Sequence, residues 1–249
     1  MKAGEESVGR TMLVAIGVAL FCSAMVTVAV HVLRPVQAAY AAVERNRAIV
    51  EAAGLAPAEA SDDAVVREFL SLDVAVIELA TGAVVEGVDG HAFDHWAATA
   101  AAAAAGDDRP AQVPIYLRRE SGALVRVVLP VDGRGMWSTI RGYLALAPDL
   151  DTVAALVVYE HGETPGIGDR IEDPGWLALW QDKRLRNTAG EIAINVSDDP
   201  ALPRENRVDT ITGATVTSKA VGRLVRDWLG SDGYAAALAA LAAREGIEQ

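Results

Sequence analysis

Cysteine is nearly missing from this chain: Cys22 stands alone among 249 residues. A single thiol excludes an internal disulfide. It also excludes an iron–sulfur cluster held by this chain alone, which needs several thiolates. Basic residues are in deficit too, with 22 Lys and Arg against 34 Asp and Glu and a formal net charge of −12. Phosphate backbones are bound by clustered Lys and Arg, so this balance argues against a nucleic-acid partner. No Walker A sequence occurs. The segment from Gly133 to Ser138 is not a dinucleotide fingerprint, because the third Gly is missing and strand-like sequence follows. His91 and His95 have the spacing of a helical metal pair, but no zincin Glu follows His91, and both read as surface histidines. A free-standing hydrolase lacks support, since no nucleophile–base pair stands out.

What the chain does have begins with an apolar run. Thr11 to Leu33 holds 23 residues without Asp, Glu, Lys or Arg. About 20 helical residues cross the hydrocarbon core of a bilayer, so this run is long enough to span one. It is longer than the h-region of a cleaved signal peptide. Phe21 and the mid-run position of Cys22 disfavour a lipoprotein signal, and a buried soluble helix of this length would carry a polar face. Lys2 and Arg10 precede the run, whereas Arg34, Arg45 and Arg47 follow it, so charge alone does not place the following domain outside the cell.

The organisation expected from these features is a tail over 1–10, a transmembrane helix over 11–33, a helical linker region over 34–72 and a soluble domain over 73–249. Arg34-Pro35 reads as a break. Residues 38–55 have helical composition ending at Gly54, 56–63 read as a loop and 63–70 as a short helix. Two β-rich runs flank Thr81-Gly82, Ser121-Gly122 and Pro148 to Asp151, a hairpin signal each time. The Ala-rich stretch 94–106 reads either as a helix or as a surface insert. Asp173-Pro174 has the form of an N-cap followed by Pro at the first helical position, and Trp176 and Trp180 share a face. Residues 190–196 read as a strand. A last amphipathic helix over 219–229 and a helical tail complete an α+β domain of hairpins, antiparallel sheet and packed helices.

Two polar stretches stand out. Asp209 to Ser218 gathers four Thr and one Ser beside Gly213 and Ala214, just ahead of the last amphipathic helix. Free N–H groups and a positive dipole end at a helix N-terminus favour a phosphate, and small residues allow close approach. The plainer alternative is that Thr217 or Ser218 caps the helix. The second stretch places His161, Glu163 and Thr164 ahead of Pro165, Gly166, Ile167 and Gly168. It is either an ordinary Gly/Pro loop or a backbone-rich cradle able to direct N–H groups at a ring edge.

Asp209-Thr-Ile-Thr212-Gly213-Ala214-Thr215 fits the flavinylation pattern Asp-x-x-Ser/Thr-Gly-Ala-Thr of FMN-binding domains. The loop at 161–168 is similar to that family's His-x-Glu-Thr-Pro-Gly-Leu-Gly loop, with Ile167 in place of Leu. Gly133 to Ser138, including Trp137, resembles a Gly-Lys/Arg-Gly-Leu-Trp-Ser segment of the NqrC family, a subunit of the sodium-translocating NADH:quinone reductase. The resemblance extends over nearly the whole chain and is weakest in the Ala-rich stretch. The FMN subunit of the Rnf complex shares the flavin motifs, and a tethered scaffold domain without a cofactor is the alternative of another class.

The resemblance implies a membrane-anchored subunit with FMN esterified through its phosphate to Thr215. Asp209, Thr212, Gly213 and Ala214 would surround the acceptor, with Thr217 as a disfavoured competitor. His161, Glu163, Thr164, Gly166, Ile167, Gly168 and Trp137 would contact or position the flavin. It further implies a flavin transferase for maturation and a complex of six subunits in a bacterial inner membrane, with the flavin domain on the periplasmic side. Electrons would pass from a membrane iron–sulfur centre to the FMN of another subunit. No metal site in this chain is implied.

Overall fold

A computed structural model describes residues 8–56 and 59–247. Most of the expected N-terminal tail, Lys2 included, and two residues of the expected loop over 56–63 lie outside the described residues. The chain divides into two units, residues 1–44 and 45–249. Helix α1, Val8–Ala52, contributes to both. Within the first unit, Gly9–Arg34 is long and apolar enough to cross a membrane, with a mean hydropathy of 2.5 and none of it buried. The expected break at Arg34-Pro35 does not occur, because α1 continues through it. Proline removes one backbone donor, and the helix-forming sequence on both sides carries the remaining hydrogen bonds past it.

The second unit is built on five antiparallel strands in the order β1-β2-β3-β4-β5: β1 Asp73–Glu78, β2 Gln112–Glu120, β3 Ala123–Arg134, β4 Thr139–Leu146 and β5 Val153–Glu160. Sequence-adjacent strands pair throughout, as the hairpin signals at Ser121-Gly122 and Pro148 to Asp151 require. The signal at Thr81-Gly82 gives only a single bridge, Ile77 to Val84, because the chain leaves the sheet there. Helices α2, Asp62–Ser71, and α3, His95–Ala105, precede β2. The short α4, Pro174–Leu177, follows β5 and is capped by Asp173 as expected. The expected strand over 190–196 shrinks to β6, Asn195–Val196, paired in parallel with β7, Arg207–Val208. Helices α5, Thr215–Leu229, and α6, Ala235–Glu245, end the fold.

Side chains alternate between two covered faces, as a pleated strand demands. Ile115, Leu117, Val127, Leu129, Leu144 and Leu146 join the core under α5, α6 and Trp180. Tyr116, Val128, Tyr143 and Ala145 point the other way, onto Ala48 to Ala53 of α1 and Phe69 of α2. Arg118 and Arg126, directly opposite on β2 and β3, donate to the carbonyls of Ala52, Ala53 and Gly54 at 3.0 Å. These are end-of-helix carbonyls without helical partners, so the arginines fix the end of α1 to the sheet.

His95 corrects the reading of two surface histidines. It begins α3, is only 2% exposed and lies 4.4 Å from the Trp96 ring and 6.0 Å from that of Trp228. Burial pushes its pKa down to about 3, which keeps it neutral. The Asp94 cap and the Asp94–Arg45 pair at 3.5 Å fix this end of α3, and with it His95, against the core. His91 lies in the preceding turn, so the two do not share a helix face. Among the described residues no cluster of three or more potential metal ligands exists.

Candidate cofactor site

Helix α5 begins at Thr215, earlier than the amphipathic pattern suggested. Its apolar stripe runs from Ala220 and Val221 through Leu224, Val225 and Trp228, all buried. The residue before it, Ala214, offers no side-chain cap, and Gly213 turns the entry with φ +85°. Thr217 and Ser218 are therefore not caps, which corrects the plainer reading. Both sit inside the helix on its buried side, with Ser218 Oγ donating to the Thr215 carbonyl at 3.2 Å and accepting from Ile211 N–H at 3.3 Å. Thr215 itself is exposed at the first helical position. The N–H groups of a first helical turn have no helical acceptor, so a phosphate on this hydroxyl would sit where the backbone is most positive.

The loop at 161–168 folds around Glu163 and Thr164. The Thr164 carbonyl accepts from Ile167, Gly168 and Asp169 N–H at 3.2, 2.8 and 3.3 Å. Gly166 adopts φ +77° and donates to Asp169 Oδ2 at 2.8 Å. His161 Nδ1 accepts from Glu163 N–H at 3.2 Å, which leaves Nε2 as the nitrogen that bears a proton, 2.8 Å from Glu172 Oε1.

Glu163 does more than its place in the loop suggested. Its buried carboxylate accepts from Trp137 N–H at 2.9 Å, Met136 N–H at 3.2 Å, Ser138 N–H at 3.3 Å and the Thr217 hydroxyl at 2.8 Å. Burial alone would raise its pKa, but these donors outweigh it and hold the group below the ordinary carboxylate value. The turn between β3 and β4, the loop and the first turn of α5 thus meet on one side chain. Ser138 Oγ adds a bond from Gly162 N–H at 2.6 Å.

Met136, Trp137, Ile167 and Val216 are carried on these three segments, and each is exposed by more than half, Trp137 most of all at 69%. Apolar groups held in the open by rigid backbone make a surface suited to a planar ring. Trp176 and Trp180 are core instead, with ring centroids 5.9 Å apart at 83°. Beside the Thr motif, a cleft of about 320 Å³ is lined by Arg170, Trp176, Leu179, Ile211 and Thr212 among others. Arg170 donates to the Thr212 carbonyl at 3.2 Å, and Trp176 Nε1 to that of Asp209 at 2.9 Å, which ties the motif to the loop that follows Gly168. The Asp209 carboxylate faces solvent and lies 3.5 Å from Arg207.

Sequence reasoning passed over Met136, Ser138 and Arg170 and took Thr217 for a cap or competing acceptor. One signal was available: Thr217 lies on the same helix face as Ala220, Val221 and Leu224, and a hydroxyl on an apolar stripe requires a buried partner.

A family model of the FMN-binding domain matches residues 135–230, from the Trp137 turn through α5. The NqrC protein of Pseudomonas aeruginosa, a subunit of its Na(+)-translocating NADH-quinone reductase, is 38% identical, with 96% of this chain and 98% of that protein aligned. Its counterpart from Vibrio alginolyticus is 32% identical over 96% and 97% of the two chains. Among solved structures, that of Shewanella oneidensis NqrC superposes with a TM-score of 0.72 at 32% identity, covering 82% of this chain and 99% of that one.

Proposed function

We propose that this chain, which belongs to the NqrC family of Na(+)-translocating NADH-quinone reductase subunits, is a membrane-anchored electron carrier holding FMN covalently at Thr215. It is a part of a complex and not a complete enzyme. Bound FMN supplies the redox chemistry; the protein supplies attachment, orientation and environment. The observation that carries the reading is the exposed Thr215 hydroxyl at an uncapped helix start, in the sequence register of the flavinylation pattern.

The residues present fit the group. Thr215 offers the ester oxygen, and the first-turn N–H groups of α5 favour its phosphate. Gly213 and Ala214 leave the approach open. Trp137 and Ile167 offer apolar surface to the isoalloxazine, and the loop at Thr164 to Gly168 offers backbone groups to its edge. His161 and Glu163 shape that loop from behind, and Asp209 and Thr212 hold the entry to α5 through their carbonyls. In this reading a flavin transferase modifies Thr215 once. The chain then takes electrons from an iron–sulfur centre of the membrane subunits and passes them to the FMN of another subunit. The complex has six subunits in the bacterial inner membrane, and the flavin domain faces the periplasm, since long domains translocate largely regardless of flanking charge.

The test is made on full-length chain co-expressed with a flavin transferase, run on a denaturing gel, viewed for flavin fluorescence and mapped by mass spectrometry. An FMN adduct on the peptide containing Thr215, absent from Thr215→Val, is the expected result. Full covalent flavin on Thr215→Val, or none on the unaltered chain, would overturn the assignment.

A further inference from the structure

Three sequence-distant segments of the site converge on Glu163, and its surroundings are unusual for a buried carboxylate. Its hydrogen-bond donors at Met136, Trp137, Ser138 and Thr217 are all neutral, and they lead the effects that hold its pKa down. A buried charge is ordinarily paired, and here backbone dipoles and a hydroxyl take that part. The neighbouring glycines make room for it. A Cβ on Gly135 would lie 2.5 Å from Glu163 Oε1, and one on Gly168 would lie 2.9 Å from Glu163 Cβ. The carboxylate is saturated by these donors and faces inward at 4% exposure, while Trp137 and Thr215, the neighbours it positions, are exposed. It therefore serves the surface from below.

We infer that Glu163 is a positioning residue that pins the Trp137 turn, the 161–168 loop and the start of α5 into one arrangement, and that its fixed negative charge lowers the reduction potential of a flavin held at Thr215. The second half rests on the reading of Thr215 as the flavin acceptor; the first half does not. The physical argument is direct. A group that gains an electron beside a buried anion is disfavoured relative to the same group beside a neutral side chain, and a low-dielectric site screens the anion weakly. Thr217 touches Glu163 and Thr215 is two residues away on the same helix turn, which places the attachment point of the flavin near the anion, and Trp137 and the 161–168 loop, pinned by the same carboxylate, are the segments that would meet its ring.

Two variants separate the roles. Glu163→Gln keeps the shape, removes the charge and turns an amide group toward backbone donors. Thr217→Val keeps the shape and the charge and removes one donor. Hydrogen–deuterium exchange on the full-length chain without flavin should show the amides of Met136 to Ser138 exchanging roughly tenfold faster in Glu163→Gln, a charged hydrogen bond being stronger than a neutral one. Spectroelectrochemical titration of the covalent flavin should give a more positive midpoint in Glu163→Gln and an unchanged or more negative one in Thr217→Val, where the anion is less compensated. Unchanged exchange in Glu163→Gln overturns the pin. Midpoints that move in the same positive direction in both variants overturn the electrostatic role, because loosened packing alone would then explain them. A chain without covalent flavin fails the Thr215 reading, while the exchange measurement still decides the pin.

Discussion

Asp151 and Glu163 are buried carboxylates only a dozen residues apart in sequence, 8% and 4% exposed, and the two regions they organise are built on opposite principles. Asp151 closes the β4–β5 turn against the segment after Trp180 with cations: Arg184 lies 2.7 Å and Arg186 3.7 Å away, and Arg186 N–H donates at 3.0 Å. Glu163 closes the candidate cofactor site with neutral donors. An arginine pair is held by long side chains that can relax, and the Arg184 side chain is 53% exposed. Backbone N–H groups of a tight turn cannot relax without moving the turn. Where the fold only needs a junction, a partly solvated ion pair serves; where Trp137 must be aimed, the chain uses its own backbone.

The largest expected difference follows from removal. Glu163→Ala leaves buried donors on the turn without an acceptor and should destabilise the domain by about 3 kcal/mol, since each unsatisfied group costs about 1–3 kcal/mol and part of the turn can reach water. Asp151→Ala leaves arginines that swing to solvent and one backbone donor, Arg186 N–H, without its acceptor, and should cost less, about 1–2 kcal/mol. Urea unfolding of the two variants in detergent measures both. Equal costs would mean that backbone donors hold a carboxylate no more firmly than mobile guanidinium groups do, and the contrast would be lost.

Next in size is overpacking. Gly135→Ala drives a Cβ to 2.5 Å from Glu163 Oε1 and 2.9 Å from Ile140, which should cost about 2 kcal/mol and expose the Trp137 amide to exchange. Gly190→Ala on the Asp151 side meets no neighbouring atom and pays only for its positive φ of +80°, about 1 kcal/mol. A Gly135→Ala domain as stable as the parent would show that the turn has slack the Glu163 contacts do not reveal.

Acid acts on the Glu163 side by a smaller amount. Glu163 has a folded pKa below its ordinary value of 4.5, so its ionised form is favoured in the folded state. The stability it adds is present above about 4.5 and is lost as pH falls through the lower folded value. Glu163→Gln should therefore be less stable than the parent at neutral pH and approach it as pH falls through the lowered folded value. Thermal melts across that range measure the closing gap; a gap that stays constant would mean that the lost stability is steric and not tied to ionisation.

The sequence showed what depends on near neighbours. The apolar run, the Asp173 cap, the Trp176–Trp180 pair and the hairpins at Ser121-Gly122 and Pro148 to Asp151 all follow from spacings of a few residues, and the Thr motif and its loop were readable because their residue types are contiguous. The pin was not readable. Glu163 reaches back to Met136 and forward to Thr217, and pairings over such separations are set by the sheet, not by local pattern. The same holds for His95, whose burial depends on where α5 puts Trp228. Pro35 misled for a different reason: a local rule for helix ends was overridden by strong helix-forming sequence on both sides.

The finest distinction is in salt. Raising ionic strength from about 0.1 to about 1 M shortens the screening length from about 10 to about 3 Å, which weakens a half-exposed pair such as Asp151–Arg184 and leaves a buried, hydrogen-bonded carboxylate nearly untouched. The cost of Asp151→Asn should thus shrink by about 0.5 kcal/mol across that range, whereas the cost of Glu163→Gln should hold. Screening acts on charge and not on hydrogen-bond geometry, so a Glu163→Gln cost that falls with salt as steeply as that of Asp151→Asn would place an unseen cation beside Glu163. A cation there would offset the anion's field at Thr215, and the expected shift of the flavin midpoint would vanish with it. The salt series is therefore the smallest of these effects and the one that decides whether Glu163 acts on the site as a bare charge.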